Sequence, residues 1–457
     1  MASAGFLGGV GADLVYDRRV TTSPTSPADE ERGERNIAYL LAGVQFVNVL
    51  DFMMVNPLGP LLAESLSVPT SQLPTIAGSY TAAASVTGLL GALFLERFER
   101  KRALVVCLVG LAFGTLLGGL ATGFRGLVLA RIVAGLFGGP ATSLTFAIVA
   151  DTIPPERRGR AFGIVMGGFA VASVLGVPAG LALAQLGGWR APFFGVSAVI
   201  VIAIGFALRL LPTIRAHVDT GRVSEGPIQA LRALVARPVA LAALSLTGLT
   251  MTSSFVVIPS LPSHVQYNLA LPREQLGWLY LAGGVASFAT TRLVGPIVDR
   301  VGALRVSVLS SIAISAVVTV LFVVPVGLPV LAMTTAFFVA MGARGVAYNA
   351  ITSMVPRPHE RASFQSVQSA VQHAASSAAA FLSAQLLAED ANHRLLHVER
   401  IGLVSIALTL AVPVVMGFVV RHVASMQRAH EQSALEQGAL APSVRPEKSP
   451  APEVDVA

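Results

Sequence analysis

The chain has 457 residues, of which 54% are hydrophobic and only 12% charged, with a mean hydropathy of +0.70. A soluble domain carries about 25% charged residues, so the polar material needed to cover a water-facing surface of this size is missing. The formal net charge of +7 calls for no nucleic-acid partner, because arginines gathered in the loops on one side of a bilayer account for most of it.

Residues 1–35 open the chain as a disordered cytoplasmic tail, Ser/Thr/Pro-rich over 20–35. No basic stretch precedes the short apolar run from Phe6 to Val10, so a cleaved signal peptide is not expected. From there to Arg421, long apolar runs are separated only by short polar breaks. They predict spans at 37–62, 72–95, 103–123, 127–150, 161–186, 191–212, 238–260, 275–298, 303–326, 328–354, 363–388 and 401–421. About 20 predominantly apolar residues cross a bilayer as a helix. Barrel strands would alternate lipid-facing and lumen-facing residues, whereas these runs are apolar all round and satisfy their own backbone. The expected class is an all-α membrane protein of twelve transmembrane helices.

Arginine and lysine set the orientation. With the N-terminus inside, the inner loops carry Arg97, Arg100, Lys101 and Arg102, then Arg157, Arg158 and Arg160. Arg215, Arg222, Arg232, Arg237, Arg300, Arg305, Arg357 and Arg361 follow on the same side, against Arg125, Arg190, Arg273, Arg394 and Arg400 outside. Both termini are expected in the cytoplasm.

Span one places an acid where acids are expensive. Asp51 lies about 15 residues in, roughly 22 Å of helix rise, where a carboxylate costs about 2.5–3.5 kcal/mol on insertion scales. A low-dielectric setting disfavours the charged form of a carboxyl, which makes Asp51 a candidate proton carrier. Gln45 and Asn48 share its helical face. A structural acid paired with a cation from another helix is the competing reading. After span two, Glu96 and Arg97 precede Glu99, Arg100 and Lys101. An acid at a helix end beside basic side chains can latch neighbouring helices and bias two conformations, or the arginines can simply anchor the loop.

The one cysteine, Cys107 in span three, reads as a small buried hydrophobe, and a disulfide framework is excluded. In span four, Gly135 and Gly139 allow close helix approach. Arg131 can snorkel to the interface or reach inward to Asp51 and set how readily it takes up a proton. Gly176, Pro178 and Gly180 predict a bent, closely packed fifth span. The break 213–237 is basic, with Ile228, Leu231 and Val235 on one face, as in a helix lying on the membrane surface. It divides the chain into six-helix halves, 36–212 and 238–422.

Internal repetition supports that division. Glu96-Arg97 recurs as Asp299-Arg300, 203 positions later, and Ile153-Pro154 through Ala161-Phe162 recurs as Val355-Pro356 through Ser363-Phe364, 202 later. A duplicated unit of this kind permits rocking around a central site. In the second half, Arg344 falls near mid-membrane with Tyr348 and Asn349 close by, and Gln365, Gln368 and Gln372 follow at helical spacing. Arg344 facing a central cavity suits an anionic or hydroxyl-rich ligand; turned elsewhere, it could hold a carbonyl or a side chain of span eleven. His393 and His397 form a possible metal clip in an outer loop, but no third ligand stands out, so a solvated helix face is expected and no metal. The only lysines, Lys101 and Lys448, do not end a Gly-x4-Gly-Lys run, so no phosphate-binding loop and no nucleotide is expected. Residues 423–457 read as a second disordered tail.

The string Leu50-Asp51-Phe52-Met53-Met54-Val55-Asn56-Pro57-Leu58-Gly59-Pro60 resembles the first-span signature of the drug:proton antiporter branches of the major facilitator superfamily. Glu96 to Lys101 sits where that superfamily has an acidic and basic, glycine-containing loop. Here Glu replaces Asp at 96 and Gly at 99, and Ala92 takes the usual upstream glycine position. The copy from Gly295 to Gly302 is closer to form. Arg131 through Gly139 resembles the fourth-span motif, whose arginine assists proton transfer, and Ala172 through Gly180 the fifth-span motif, with Val177 interrupting its Gly-Pro pair. The resemblance covers roughly 36–421 and is nearest to the sugar-efflux and arabinose-efflux-like permeases. It implies proton-coupled efflux of a small organic molecule, with Asp51 and Arg131 coupling the proton. Gln45, Asn48, Tyr80, Arg344, Tyr348, Asn349, Gln368 and Gln372 would line the cavity. Glu96, Arg97, Arg100, Asp299 and Arg300 would form the latch. It further implies a monomer in the bacterial inner membrane whose partners are the bilayer and a small-molecule substrate, with no cofactor beyond the proton. Uptake or uncoupled facilitation on the same fold, or a transport-dead sensor, are the alternatives; an enzyme is not expected.

Overall fold

The computed structural model describes residues 27–94, 98–213, 236–324, 326–356 and 361–440. The first bundle contains α1 (Pro27–Met53), α2 (Gly59–Leu66), α3 (Leu73–Phe94) and α4 (Arg100–Leu120). It continues with α5 (Phe124–Thr152), α6 (Pro155–Val171), α7 (Val177–Gly187) and α8 (Ala191–Leu210). The second contains α9 (Pro238–Phe255), α10 (Leu276–Val301), α11 (Ala303–Val318), α12 (Val330–Thr352), α13 (Arg361–Leu386) and α14 (Val398–Leu440). A two-residue hairpin, β1 (Ala388–Glu389) against β2 (Leu395–Leu396), joins α13 to α14.

Apolar cores follow the bundles. One cluster of buried side chains lies within 38–211, and two lie within 239–423. In the first bundle α5 packs on α3 and α4, and α1 on α6 and α8; in the second, α12 packs on α10 and α11, and α9 on α13 and α14. The bundles meet where α3 packs on α13 and α7 on α10. The start of α1 marks what we term the near end of the molecule, and the hairpin marks the far end.

Ten helices or continuous helical runs among the described residues are long and apolar enough to cross a membrane. The helices α3 and α13 have comparable length and are not among these ten; α3 carries Ser, Thr and Tyr through its middle, and α13 carries Ser, Gln and His. They pack on each other between the bundles, so these polar groups meet protein rather than lipid, where they would be costly.

Several span boundaries differ from expectation, each for a local reason. Span one was expected to run to 62, but α1 stops at Met53 and the chain turns before α2. Pro57 lacks an N–H and disfavours helical backbone at Asn56. At its other end α1 starts at Pro27, so 27–35 is helix rather than disordered tail. Glu34 and Glu31 there reach Arg157 and Arg160 of α6, at 3.3 and 4.0 Å. Likewise α14 continues to Leu440, through part of the expected C-terminal tail. That stretch is rich in Ala, Gln and Glu, good helix formers, and meets no proline before Pro442. The fifth span widens into a π-turn over Ala172–Gly176 ahead of Pro178, the kind of local distortion at which helices bend. His393 and His397 lie in the hairpin loop and just after it, both with positive φ, not on a helix face. Nearly all of the linker 213–237, with Ile228, Leu231 and Val235, lies outside the described residues, as do the remaining tail segments.

Candidate functional site

Because α1 ends at Met53, the carbonyl of Asp51 is among the last four with no partner inside the helix. Arg131, brought in by α5, takes both that carbonyl and the side chain. Its Nη1 donates to Asp51 Oδ1 at 3.0 Å, and its Nη2 to Oδ2 and to the backbone oxygen, each at 3.1 Å. The two residues are 0% and 1% exposed. Two-pronged contact is the strong form of this pairing, and burial makes it intolerant of losing one partner. From α4, Thr115 places its hydroxyl 2.7 Å from Asp51 Oδ1.

Tyr80 of α3 completes the site. The Arg131 guanidinium lies 4.5 Å from the centre of its ring, and its hydroxyl donates to Asn48 Oδ1 at 3.1 Å. Asn48 Nδ2 in turn donates to the Gly138 carbonyl at 3.0 Å and contacts Thr142 Oγ1. These approaches need bare backbone on α5. A Cβ at Gly135 would collide with the Tyr80 carbonyl, and one at Gly139 with the Ala84 carbonyl. Gly176 is similarly tight, with Leu50 Cδ1 2.6 Å from an added Cβ. Gly180 departs from the expected close packing, since a Cβ there meets only Met54 at 4.0 Å.

Asp51, Arg131, Asn48 and Tyr80, all singled out in the sequence, therefore form one network. Gln45 is buried on the same helix but outside it, and its side-chain oxygen has no partner among the described residues. Thr115 gave no sequence signal, because a lone threonine in an apolar span can satisfy itself on its own helix; here it also lies 2.8 Å from the Leu111 carbonyl.

The second bundle holds a separate cluster. The Tyr348 hydroxyl lies 2.9 Å from Thr247 Oγ1 and accepts from Gln368 Nε2 at 2.5 Å, with Gln372 in reach of the same oxygen. This joins α9, α12 and α13. Asn349 is exposed and takes no part, and Gln365 is half-buried. Arg344, expected to face a cavity, is instead 2% exposed and held by α9 and α14. Its Nη2 donates to Ser254 Oγ at 2.6 Å and its Nη1 to Thr409 Oγ1 at 3.3 Å. Two hydroxyls turned into the bundle supply acceptors that lipid would not. No carboxylate among the described residues pairs with it. Ser254 stands 203 positions after Asp51, so where the first bundle offers its arginine an acid, the second offers a neutral hydroxyl.

An aromatic bridge links the two clusters. Phe52 stacks on Tyr80 with ring centres 5.5 Å apart and on Phe255 of α9 at 5.9 Å, and meets His373 of α13 edge-on at 6.3 Å. Sequence reasoning gave none of the three this role: Phe52 and Phe255 sit in apolar runs where rings look like lipid-facing surface, and His373 follows Gln365, Gln368 and Gln372 on a helix whose partner was not apparent.

Of the expected latch, Glu96 and Arg97 lie outside the described residues. Arg100 pairs with Asp151 at the end of α5, Nε to Oδ2 at 2.8 Å, and Glu99 pairs with Arg102 at 2.9 Å. Asp299 and Arg300 are exposed and take part in no ion pair among the described residues. Hydrogen bonds join the bundles at mid-depth, Ser85 Oγ to the Ala370 carbonyl and Ser377 Oγ to the Gly78 carbonyl, both at 3.0 Å. At the far end, Arg273 pairs with Glu64 at 3.2 Å, Tyr267 donates to Glu64 at 3.0 Å, and the Thr70 N–H donates to Glu389. Glu389 also contacts His393, and no group of three metal-ligating side chains occurs among the described residues.

The Major Facilitator Superfamily profile matches residues 41–384, with a second match over 243–446. A probable sugar efflux transporter of Pasteurella multocida (strain Pm70) is 29% identical over 232 residues, 51% of this chain and 55% of that protein. A chloramphenicol resistance protein of Streptomyces lividans is 28% identical over 264 residues, 57% of this chain and 66% of that protein. The matches thus span between about half and two thirds of these curated relatives' length. Among solved structures, an inward-facing, unoccupied bacterial homologue of the human lysosomal transporter Spinster aligns with a TM-score of 0.65 at 14% identity, covering 88% of this chain and 98% of that one. A partially occluded inward-open xylose transporter from E. coli aligns with a TM-score of 0.63 at 15% identity, covering 83% and 97%. At these identities the likeness concerns the fold.

Proposed function

The chain belongs to the Major Facilitator Superfamily, and we propose that it is a secondary active transporter that exports a small organic molecule in exchange for protons by alternating access. The observation that carries this reading is the buried Asp51–Arg131 pair, one carboxylate matched to one guanidinium away from water. Protonating Asp51 cancels its charge and leaves Arg131 held by the Asp51 carbonyl and the face of Tyr80. The carboxyl is then free to turn toward a water-filled path and give the proton up. Asp51 carries the proton in this scheme, Arg131 sets its hold on it, and Tyr80 and Asn48 position the arginine. Gln45, Tyr348, Gln368 and Gln372 offer polar groups to the substrate.

In the same reading the chain crosses the bacterial inner membrane twelve times as two six-helix halves, with both termini cytoplasmic. One charge moved through 100 mV supplies about 2.3 kcal/mol, enough to drive a modest gradient. The named relatives make a sugar and chloramphenicol the first molecules to try. The test is proton movement on ligand addition in proteoliposomes loaded with a pH-sensitive dye, wild type beside Asp51→Asn. Ligand-triggered flux that vanishes in the variant is the expected result; flux that persists in it removes Asp51 from the coupling.

A further inference from the structure

The helices α10 and α11 each pack on α12 and leave between them an apolar groove of about 1000 Å³. Its floor is buried Val306, Ser310 and Ala340, and its rims are exposed Ile297, Leu309 and Leu331. The helix α10 is the least covered of the candidate spans, with only 17% of its most apolar stretch buried. Along α12 the lining runs from Leu331 to Ala343, about 18 Å of helix rise. That exceeds half of a bilayer core about 30 Å thick.

The groove offers no free polar group to a polar ligand. Ser310 Oγ donates to the Val306 carbonyl at 2.8 Å and Thr335 Oγ1 to the Leu331 carbonyl at 2.7 Å, so both lining hydroxyls are spent on their own helices. What it can take is a hydrocarbon chain. Its near-end mouth is basic. Arg300 follows Ile297 by one turn, Arg305 adjoins Val306, and the tight turn at Gly302, with φ of +95°, keeps the two close. Both arginines are exposed, and no carboxylate among the described residues pairs with either. Arg305 reaches only the Val301 carbonyl, at 3.4 Å. Asp299 is the single acid of the turn, so the mouth keeps a positive balance.

We propose that this groove binds one anionic phospholipid of the near-end leaflet, with an acyl chain between α10, α11 and α12 and the phosphate at Arg300 and Arg305. Basic pockets between membrane helices hold anionic headgroups in this way. The site is distinct from the Asp51 network and stands whether or not that network couples protons. Because Arg300 also belongs to the expected latch, the test uses Arg305 and the groove itself.

Purified full-length protein would be titrated with phosphatidylglycerol or phosphatidylcholine in mild detergent and bound lipid counted by native mass spectrometry. Wild type should retain phosphatidylglycerol over phosphatidylcholine by about 25-fold, two basic side chains near a headgroup contributing about fivefold each. Arg305→Gln should lower that preference about fivefold, and Ala336→Leu, which fills the groove, should lower occupancy by both lipids. Ala332→Leu, at the exposed edge, serves if the first filling variant fails to fold, with thermal unfolding in lipid-free detergent as the control. Equal retention of both lipids by wild type, or retention unchanged by the folded filling variant, would overturn the proposal and leave bulk lipid contact only.

Discussion

At the scale of single residues, the Asp51–Arg131 pair dominates, because both charges are removed from water and each depends on the other. Arg131→Ala strands a buried carboxylate, and breaking such a pair costs about 3–5 kcal/mol. Thermal unfolding in detergent should therefore fall steeply for Arg131→Ala and recover in large part when Asp51→Asn is added. A double variant as unstable as the single one would show that the ion pair contributes little. Tyr80 separates two effects. Tyr80→Phe loses only the bond to Asn48, about 1 kcal/mol, whereas Tyr80→Leu also loses the ring beneath Arg131. Binding or unfolding measurements should rank wild type above Phe and Phe above Leu. These two charges were legible in the sequence because an ion in an apolar run is costly in lipid and must find a partner or reach the interface. Thr115 and Phe52 were not, since a lone hydroxyl or a phenyl ring is at home in the same runs. Arg344 was legible as a buried cation, but its neutral partners Ser254 and Thr409 were not, and they decide which way it points.

At the scale of elements, close helix approach sets the geometry of the site. α5 can bring Arg131 under Tyr80 only because Gly135 and Gly139 let α3 settle against its backbone. Gly139→Val should lower folded yield and unfolding temperature sharply, while Gly163→Val, where an added Cβ meets nothing within 4 Å, should be tolerated apart from a modest propensity effect. Equal losses at the two positions would mean that backbone flexibility, not contact, explains the glycines. The end of α1 matters for the same site, since it frees the carbonyl that Arg131 takes. Asn56-Pro57 marks that end in the sequence, yet hydropathy carries the apolar run past it into α2. The helices α3 and α13 were legible as spans by length, and the hydroxyls and amides they carry become intelligible once the two pack on each other.

At the scale of the whole molecule, the bundles are held together at mid-depth and at the far end. The far-end ion pair Arg273–Glu64 is 42% and 43% exposed, and such pairs contribute about 1 kcal/mol or less. The Tyr267 bond to Glu64 and the Thr70 bond to Glu389 act in parallel, so closure at this end is a sum of small terms. A sum of this kind suits the alternating access proposed above, because no single contact has to be broken at great cost. Glu64→Gln weakens two of these contacts at once. The only native cysteine, Cys107, is buried, so a cysteine placed at Ser377, between α13 and α3, can report opening by its rate of reaction with a water-soluble maleimide. Glu64→Gln should raise that rate by up to about fivefold, the population shift that 1 kcal/mol allows. High salt should act in the same direction on the wild type, since exposed charges are screened, and should add little to the variant. A rate unchanged by both would mean that closure rests on the α3–α13 packing and the aromatic bridge at Phe52 rather than on charge. Substrate would then have to separate those apolar surfaces directly.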